Sequence, residues 1–214
     1  MFKKMNLPNK ITMLRIILVP FFVVAMCFPD NLNWAKYVAL GIYVFASITD
    51  FIDGYISRKN NMVTKFGKIM DPLADKILVS AGFIMLTGVG IIPAAITFII
   101  IFRDFFVNAL RMFGSDKGKD VAAVLSGKIK TIFQLIGVPL AILGYALNGA
   151  ATTAGTTASK VNFGAFVSNA TNMTMIELLV NVGMTVAISA AVIATLWSFI
   201  EYVIRFKDSI DVEE

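Results

Sequence analysis

The chain has 214 residues, 57% of them hydrophobic and only 15% charged. A soluble domain normally carries about 25% charged residues, so the composition excludes an ordinary soluble fold and predicts an integral membrane protein of one domain, residues 1–214. The single cysteine, Cys27, excludes an internal disulfide, the absence of histidine excludes histidine acid–base chemistry and His-ligated zinc, and the formal charge of +5 informs through its distribution rather than its sum.

A membrane-spanning helix needs roughly 20 mostly apolar residues. Six segments read this way in chain order, predicting an all-α polytopic bundle with six transmembrane helices. They run near Ile11–Phe28, Trp34–Ser57, Gly67–Val89, Ile91–Phe113, Val121–Leu147 and Met175–Phe206. Lys3 and Lys4 ahead of the first apolar run resemble a signal peptide. Arg15 within that run and the lack of a small-residue cleavage site argue against one.

Loop charges orient the spans. The segments 28–33 and 87–93 contain no Lys or Arg, and 148–174 contains only Lys160. The N-terminus has Lys3, Lys4 and Lys10, and the second connection has Arg58, Lys59, Lys65 and Lys68. The fourth connection has Arg111, Lys117, Lys119 and Lys128, and the tail has Arg205 and Lys207. Only Lys36 and Lys160 fall on the other side. The positive-inside rule then places both termini in the cytoplasm, in a multi-pass protein of the cell (inner or plasma) membrane. The Ala-, Thr-, Gly- and Asn-rich stretch 148–174 reads as a flexible external linker.

Four carboxylates interrupt the membrane-type sequence between the second and third spans. Asp50 and Asp53 lie three apart and share a helix face, with Gly54 beside them and Arg58 two turns after Asp50. Gly67, Asp71 and Asp75 recur every four residues and form one stripe. Asp50 precedes Arg58 by roughly 12 Å at 1.5 Å per residue, so the cluster sits in the cytoplasmic half of the membrane. An ionisable group there costs on the order of 2.5–3.5 kcal/mol, and four carboxylates together need compensating charge. Two divalent cations, Mg²⁺ or Mn²⁺, suit an all-oxygen donor set and would clamp a phosphoryl displacement. Gly54 and Gly67 leave room for close approach of a substrate, and Arg58 offers a planar cationic fork for phosphate. A lone intramembrane Asp often serves only helix association or an ion path, but four on two adjacent helices with interleaved glycines exceed that role. The spacing fails the EF-hand pattern, and 114–120 fails the phosphate-loop pattern.

Read in order, Asp50, Asp53, Gly54, Ser57, Arg58, Gly67, Asp71 and Asp75 resemble the signature of the CDP-alcohol phosphatidyltransferases, D-x2-D-G-x2-A-R-x8-G-x3-D-x3-D. The one departure is Ser57 where Ala is usual. The six-span architecture extends the resemblance over essentially the whole chain. It implies transfer of a phosphatidyl group from a CDP-linked lipid to an alcohol, with CMP leaving. It further implies that Asp50, Asp53, Asp71 and Asp75 hold two divalent ions on the pyrophosphate, that Asp75 is the general base, and that Gly54, Arg58 and Gly67 contact the CMP moiety. Asn9 and Thr12, at the start of the first span, either bond the cytidine base or ribose or cap the helix.

Three further stretches, 6–15, 71–76 and 126–134, are similar to the bacterial branch of that family that makes phosphatidylglycerophosphate. That similarity implies CDP-diacylglycerol as donor and sn-glycerol 3-phosphate as acceptor. A phosphorylated acceptor requires cations of its own. Arg103 and Arg111, eight apart on the fourth span, and Lys128 on the fifth are expected to converge on its phosphate, with Lys130 as a further candidate. The alternative for Arg111, Lys128 and Lys130 is contact with anionic lipid headgroups. Arg103 follows an apolar run and needs a partner, and Asp104, offset by about 100° on the helix, points away from it. Small residues at Gly137, Ala141, Ala187, Ala190, Ala191 and Ala194 suit close helix contact, either within the chain or across a homodimer seam; family analogy favours a homodimer. No nucleic-acid partner is implied. The competing readings are a CDP-diacylglycerol-dependent cardiolipin synthase, another CDP-alcohol phosphatidyltransferase, and a cation transporter.

Overall fold

The computed structural model describes residues 7–28, 32–59, 65–116, 125–147, 163–164 and 174–210. Within these, the side chains of 7–9, 33, 51–59, 65–69, 71–72, 110–116, 125–126, 128 and 205–210 fall outside the description. The described residues form six helices and no strand: α1 (Leu7–Met26), α2 (Asn33–Lys59), α3 (Lys65–Gly88), α4 (Ala94–Asp116), α5 (Leu125–Leu147) and α6 (Met175–Ile210). The expected all-α architecture and the positions of all six helices are therefore present.

The boundaries have local causes. α1 starts at Leu7, ahead of the expected Ile11, because Pro8 fits a first turn, where its missing N–H has no partner to lose. α4 starts at Ala94 rather than Ile91. The Pro93 carbonyl accepts from the main chain of Ile96 at 3.0 Å and Thr97 at 3.3 Å, which makes it the entry to the helix. Ile91 and Ile92 ahead of it are buried connectors, and Gly90 turns the chain out of α3 with φ +76°. α5 starts at Leu125; the expected extension over 121–124 lies outside the described residues. α6 opens on a capping box. Thr174 Oγ1 accepts from the Glu177 main chain at 3.3 Å, while Glu177 Oε2 accepts from the Thr174 main chain at 2.8 Å.

Among the described residues two helices, over Ile129–Leu147 and Met175–Ile204, are long and apolar enough to cross a bilayer on length and composition. In the other four helices the described side chains cover fewer than 18 consecutive residues, and they include Arg15 on α1, Asp50 on α2, Asp75 and Lys76 on α3, and Arg103 and Asp104 on α4. At 1.5 Å per residue, the 36 residues of α6 exceed a hydrocarbon core of about 30 Å, so this helix is long enough to emerge beyond it.

The distribution of polarity is inverted relative to a soluble bundle. On α1, Leu14, Ile17, Phe21 and Val24 face outward, and Thr12, Arg15, Val19 and Phe22 face inward. On α5 the outer stripe is Ile129, Ile132 and Ile136 and the inner one Lys130, Gln134, Val138 and Ala141. On α6, Leu179, Val186, Ile193, Trp197 and Ile204 are exposed over buried Asn181, Met184, Thr195 and Ser198. Contiguous apolar surface of this extent marks a membrane or partner contact.

α3 packs against α1, α2, α4 and α5, and the closest pairing is α5 on α6. Small residues bring that pair together. A Cβ at Gly137 would meet Ile188 Cγ1 at 3.1 Å and Ala187 Cβ at 3.4 Å. Ala141, Ala187 and Ala191 are likewise buried, so these residues serve packing within the chain, while Ala190 and Ala194 are only partly buried. The apolar core, including Phe22, Tyr43, Phe83, Leu86, Ile142 and Met184, fills the half of the bundle at the α3–α4 turn. There the expected linker is anchored. The Phe163 main chain donates to the Ile91 carbonyl at 2.8 Å, and that of Gly164 to Thr185 Oγ1 at 3.2 Å. The rest of the stretch, up to 173, lies outside the described residues.

Gly82 holds the contact between α3, α2 and α5. A Cβ there would lie 2.8 Å from Val138 Cγ1 and 3.0 Å from Tyr43 Cε2. Val138 is β-branched and the Tyr43 ring packs on Phe22 at 5.5 Å, so neither moves freely. Gly82→Ala is expected to cost about 1–3 kcal/mol. Val138→Ala in the same chain should recover part of that loss, read as a double-mutant cycle of unfolding in detergent.

Candidate active site

The half of the bundle opposite the apolar core is polar. It gathers the start of α1, the end of α2, the start of α3, the second half of α4, the start of α5 and the end of α6. Two ionic assemblies occupy it.

The first joins α1 to α2. Arg15 is fully buried, and its Nη1 lies 2.5 Å from Asp50 Oδ1. The Asp50 side chain is 45% exposed, so the pair has a dry cationic end and a wet anionic end. Thr12, one turn before Arg15, is also fully buried on this stripe. Its burial fits a role inside the bundle more closely than a helix cap, since α1 begins five residues earlier.

The second assembly joins α3, α4, α5 and α6 around Asp104. This carboxylate is 3% exposed and accepts three cations. Lys130 of α5 forms a direct ion pair with Oδ1. Arg103 Nη1 donates to the same oxygen at 3.4 Å, and Lys76 Nζ of α3 lies 3.7 Å from Oδ2. The Arg103 guanidinium is held from the other side by α6. Its Nη2 donates to Ser198 Oγ, and its Cζ stands 5.6 Å over the Tyr202 ring. Gly127 of α5 borders this corner, where a Cβ would make ordinary van der Waals contact with Arg103 Nη2 at 3.7 Å and Ser198 Oγ at 3.9 Å. Lys76 also reaches Asp75 Oδ2 at 3.7 Å, which links the assembly to a carboxylate 28% exposed to water. Among the described side chains three cations face two carboxylates, Asp104 and Asp75, which leaves one positive charge in excess.

Asp50 on α2 and Asp75 on α3, the two signature aspartates whose side chains are described, are both open to water on this polar half. Asp53, Gly54 and Arg58 on α2 and Gly67 and Asp71 on α3 belong to the same helix segments, with side chains outside the described residues. Among the described residues no three potential metal ligands gather. The donor set is nevertheless all-carboxylate oxygen and its described members are hydrated, which fits a hard divalent cation such as Mg²⁺ or Mn²⁺.

Of the expected acceptor cations, Arg103 and Lys130 converge on Asp104; the side chains of Arg111 and Lys128, like that of Asn9, lie outside the described residues. The expectation that Asp104 points away from Arg103 is corrected. The 100° offset describes Cβ directions, whereas the long Arg103 side chain folds back to the neighbouring carboxylate. Three charged participants escaped the sequence reading of the site: Arg15, Lys76 and Asp104. A signal existed for each, since a charge within an apolar run requires an opposite charge nearby. Ser198 gave no such signal.

The chain matches the CDP-alcohol phosphatidyltransferase family profile over residues 5–197. It is 43% identical over 148 residues to a CDP-diacylglycerol–glycerol-3-phosphate 3-phosphatidyltransferase of Bacillus subtilis, covering 64% of this chain and 77% of that protein. A protein of the same name from Rickettsia felis is 40% identical over 139 residues, covering 65% and 76%. One from Salmonella typhimurium is 36% identical over 140 residues, covering 62% and 74%. The aspartate signature on α2 and α3 and the profile that runs from α1 into α6 lead to one conclusion: the chain belongs to the CDP-alcohol phosphatidyltransferase family.

Proposed function

We propose that the protein transfers the phosphatidyl group of CDP-diacylglycerol to sn-glycerol 3-phosphate, giving phosphatidylglycerophosphate and CMP in phospholipid synthesis. The observation that carries this reading is the cationic assembly of buried Arg103 and Lys130 and partly exposed Lys76 beside Asp75, an arrangement suited to an acceptor that bears a phosphate. The names of the relatives support it. No observation favours the cation-transport reading, which rested on the acidic residues alone.

Asp75 accepts the proton of the acceptor hydroxyl. The freed oxygen forms a bond to the phosphorus that carries diacylglycerol. The bond from that phosphorus to the bridging oxygen breaks, and CMP leaves with the electron pair. Asp50, Asp53, Asp71 and Asp75 would hold two divalent ions, which when bound supply positive charge to the pyrophosphate. Gly54, Arg58 and Gly67 would then face CMP, with Asn9 and Thr12 near its cytidine end. Arg103 and Lys130, joined by Arg111 and Lys128, would bind the acceptor phosphate.

The same reading has all six helices crossing the membrane with both termini and the site on the cytoplasmic side. The loop charges and the apolar exterior support it. It lets the acyl chains stay in lipid while the headgroups meet in water. A homodimer, as family analogy has it, is checked by the mass of the protein in nanodiscs.

Purified protein given CDP-diacylglycerol, Mn²⁺ or Mg²⁺ and labelled sn-glycerol 3-phosphate should release CMP and a labelled lipid. Phosphatidylglycerol in place of glycerol 3-phosphate should give no product; preference for it would instead make the protein a cardiolipin synthase. Asp75→Asn should lower kcat by about 10²–10⁴ with an unchanged yield of folded protein, and activity near that of the unmodified protein would remove Asp75 as the base.

Chelation should stop turnover, and readdition of Mg²⁺ or Mn²⁺ should restore it. Asp50→Ala should weaken Mn²⁺ binding measured by calorimetry. It should also destabilise the fold by about 3–5 kcal/mol, because it leaves Arg15 buried without its counter-ion. Arg15→Met should cost much less, since it leaves only a hydrated carboxylate behind.

A further inference from the structure

We propose that Lys76 is an acceptor-positioning residue. It holds the phosphate end of the acceptor at a fixed distance from Asp75, and so selects short hydroxyalkyl phosphate monoesters. The inference rests on the phosphatidyltransferase reading and adds a residue and a length rule to it.

Lys76 Nζ lies 3.7 Å from Asp75 Oδ2 and 3.7 Å from Asp104 Oδ2. A charge-assisted hydrogen bond closes to about 2.7–2.9 Å, so the ammonium stands between the two carboxylates at a distance longer than a direct bond to either. Its exposure sets it apart within the assembly. The Lys76 side chain is 19% exposed, whereas Arg103 and Lys130 are buried. Lys76 is therefore the cation of the assembly that an entering anion meets first. Lysine is suited to this place, because its compact ammonium has three rotatable donors and can serve two anions at once.

The neighbours define the two ends of the acceptor. Asp75 takes the hydroxyl, and the cations around Asp104 take the phosphate. Asp75 and Asp104 are separated by a single ammonium, a gap that a three-carbon chain with a hydroxyl at one end and a phosphate at the other can bridge. A phosphate monoester dianion offers more charge and more acceptor oxygens than the Asp104 carboxylate. It draws Lys76 toward the phosphate while the ammonium remains beside Asp75.

The test uses the full chain in nanodiscs with CDP-diacylglycerol and Mn²⁺. Lys76→Met should raise KM for sn-glycerol 3-phosphate by about tenfold or more, leave KM for CDP-diacylglycerol within about twofold, and recover in part in Lys76→Arg. Across 2-hydroxyethyl phosphate, sn-glycerol 3-phosphate and 4-hydroxybutyl phosphate, the unmodified protein should prefer the three-carbon acceptor, and Lys76→Met should flatten that preference. Without donor lipid, sn-glycerol 3-phosphate should raise the Tm of the unmodified protein and not that of the variant. If Lys76→Met does not fold, Lys76→Gln is read in its place. An unchanged acceptor KM, an equal rise in both KM values, or a retained Tm shift overturns the inference while the transferase reading stands. An unmodified protein that releases no CMP with any acceptor overturns both.

Discussion

A charge that leaves water for the interior of a helical bundle must find an opposite charge within a few ångströms, and here that requirement organises the fold. Arg15 is fully buried and paired with Asp50, which ties α1 to α2. Asp104 is nearly as buried and draws Lys76, Arg103 and Lys130, which ties α3 and α5 to α4. Ser198 extends the second network to α6. Breaking such a pair by removing one partner typically costs about 3–5 kcal/mol, more than most single apolar contacts in a core. The same bonds that set the helices in register therefore assemble the chemistry.

Polarity divides the molecule in two ways. Across the bundle, apolar side chains face out and polar ones face in, the arrangement expected where the surroundings are lipid. Along the bundle, one half is an ordinary hydrophobic core of Phe22, Tyr43, Phe83, Leu86 and Ile142. That half is closed by the α3–α4 turn and by the Phe163 anchor. The other half holds the ion pairs. The rigid apolar half supports the polar half, in which charges must be held apart as well as together. Gly82 and Gly137 let the backbones approach closely enough for the rigid half to form.

The six helices were legible in the sequence because apolar length is a one-dimensional signal, and their boundaries shift only where a proline or a cap intervenes, as at Pro8, Pro93 and Thr174. The aspartate signature was legible because its spacing matches the helical period. The partners of those aspartates were not. Periodicity assigns a residue to a face of its own helix, but it does not say which neighbouring helix lies opposite or how far a long side chain bends. Asp104 was set aside on a difference of direction that the length of Arg103 overcomes. Arg15 was read only as an interruption of an apolar run, although its burial demanded a partner of the kind Asp50 provides. Lys76 stood in a stretch similar to known relatives, yet nothing in its spacing revealed that it reaches two carboxylates at once.

The site also separates its charges by depth. The described carboxylates of the signature, Asp50 and Asp75, are open to water, whereas Arg15, Arg103 and Lys130 are withdrawn into the bundle. A pyrophosphate that approached the bare carboxylates would be repelled, so on the reading proposed above divalent cations must accompany the donor. On the same reading the acceptor phosphate faces the opposite condition, because its proposed counter-charges belong to the protein. Lys76, partly exposed between the two zones, would then mark the boundary where an anion leaves the region that needs metal and enters the region that does not. Donor and acceptor, both phosphate-bearing, would thereby be distinguished by the source of the positive charge that neutralises each one.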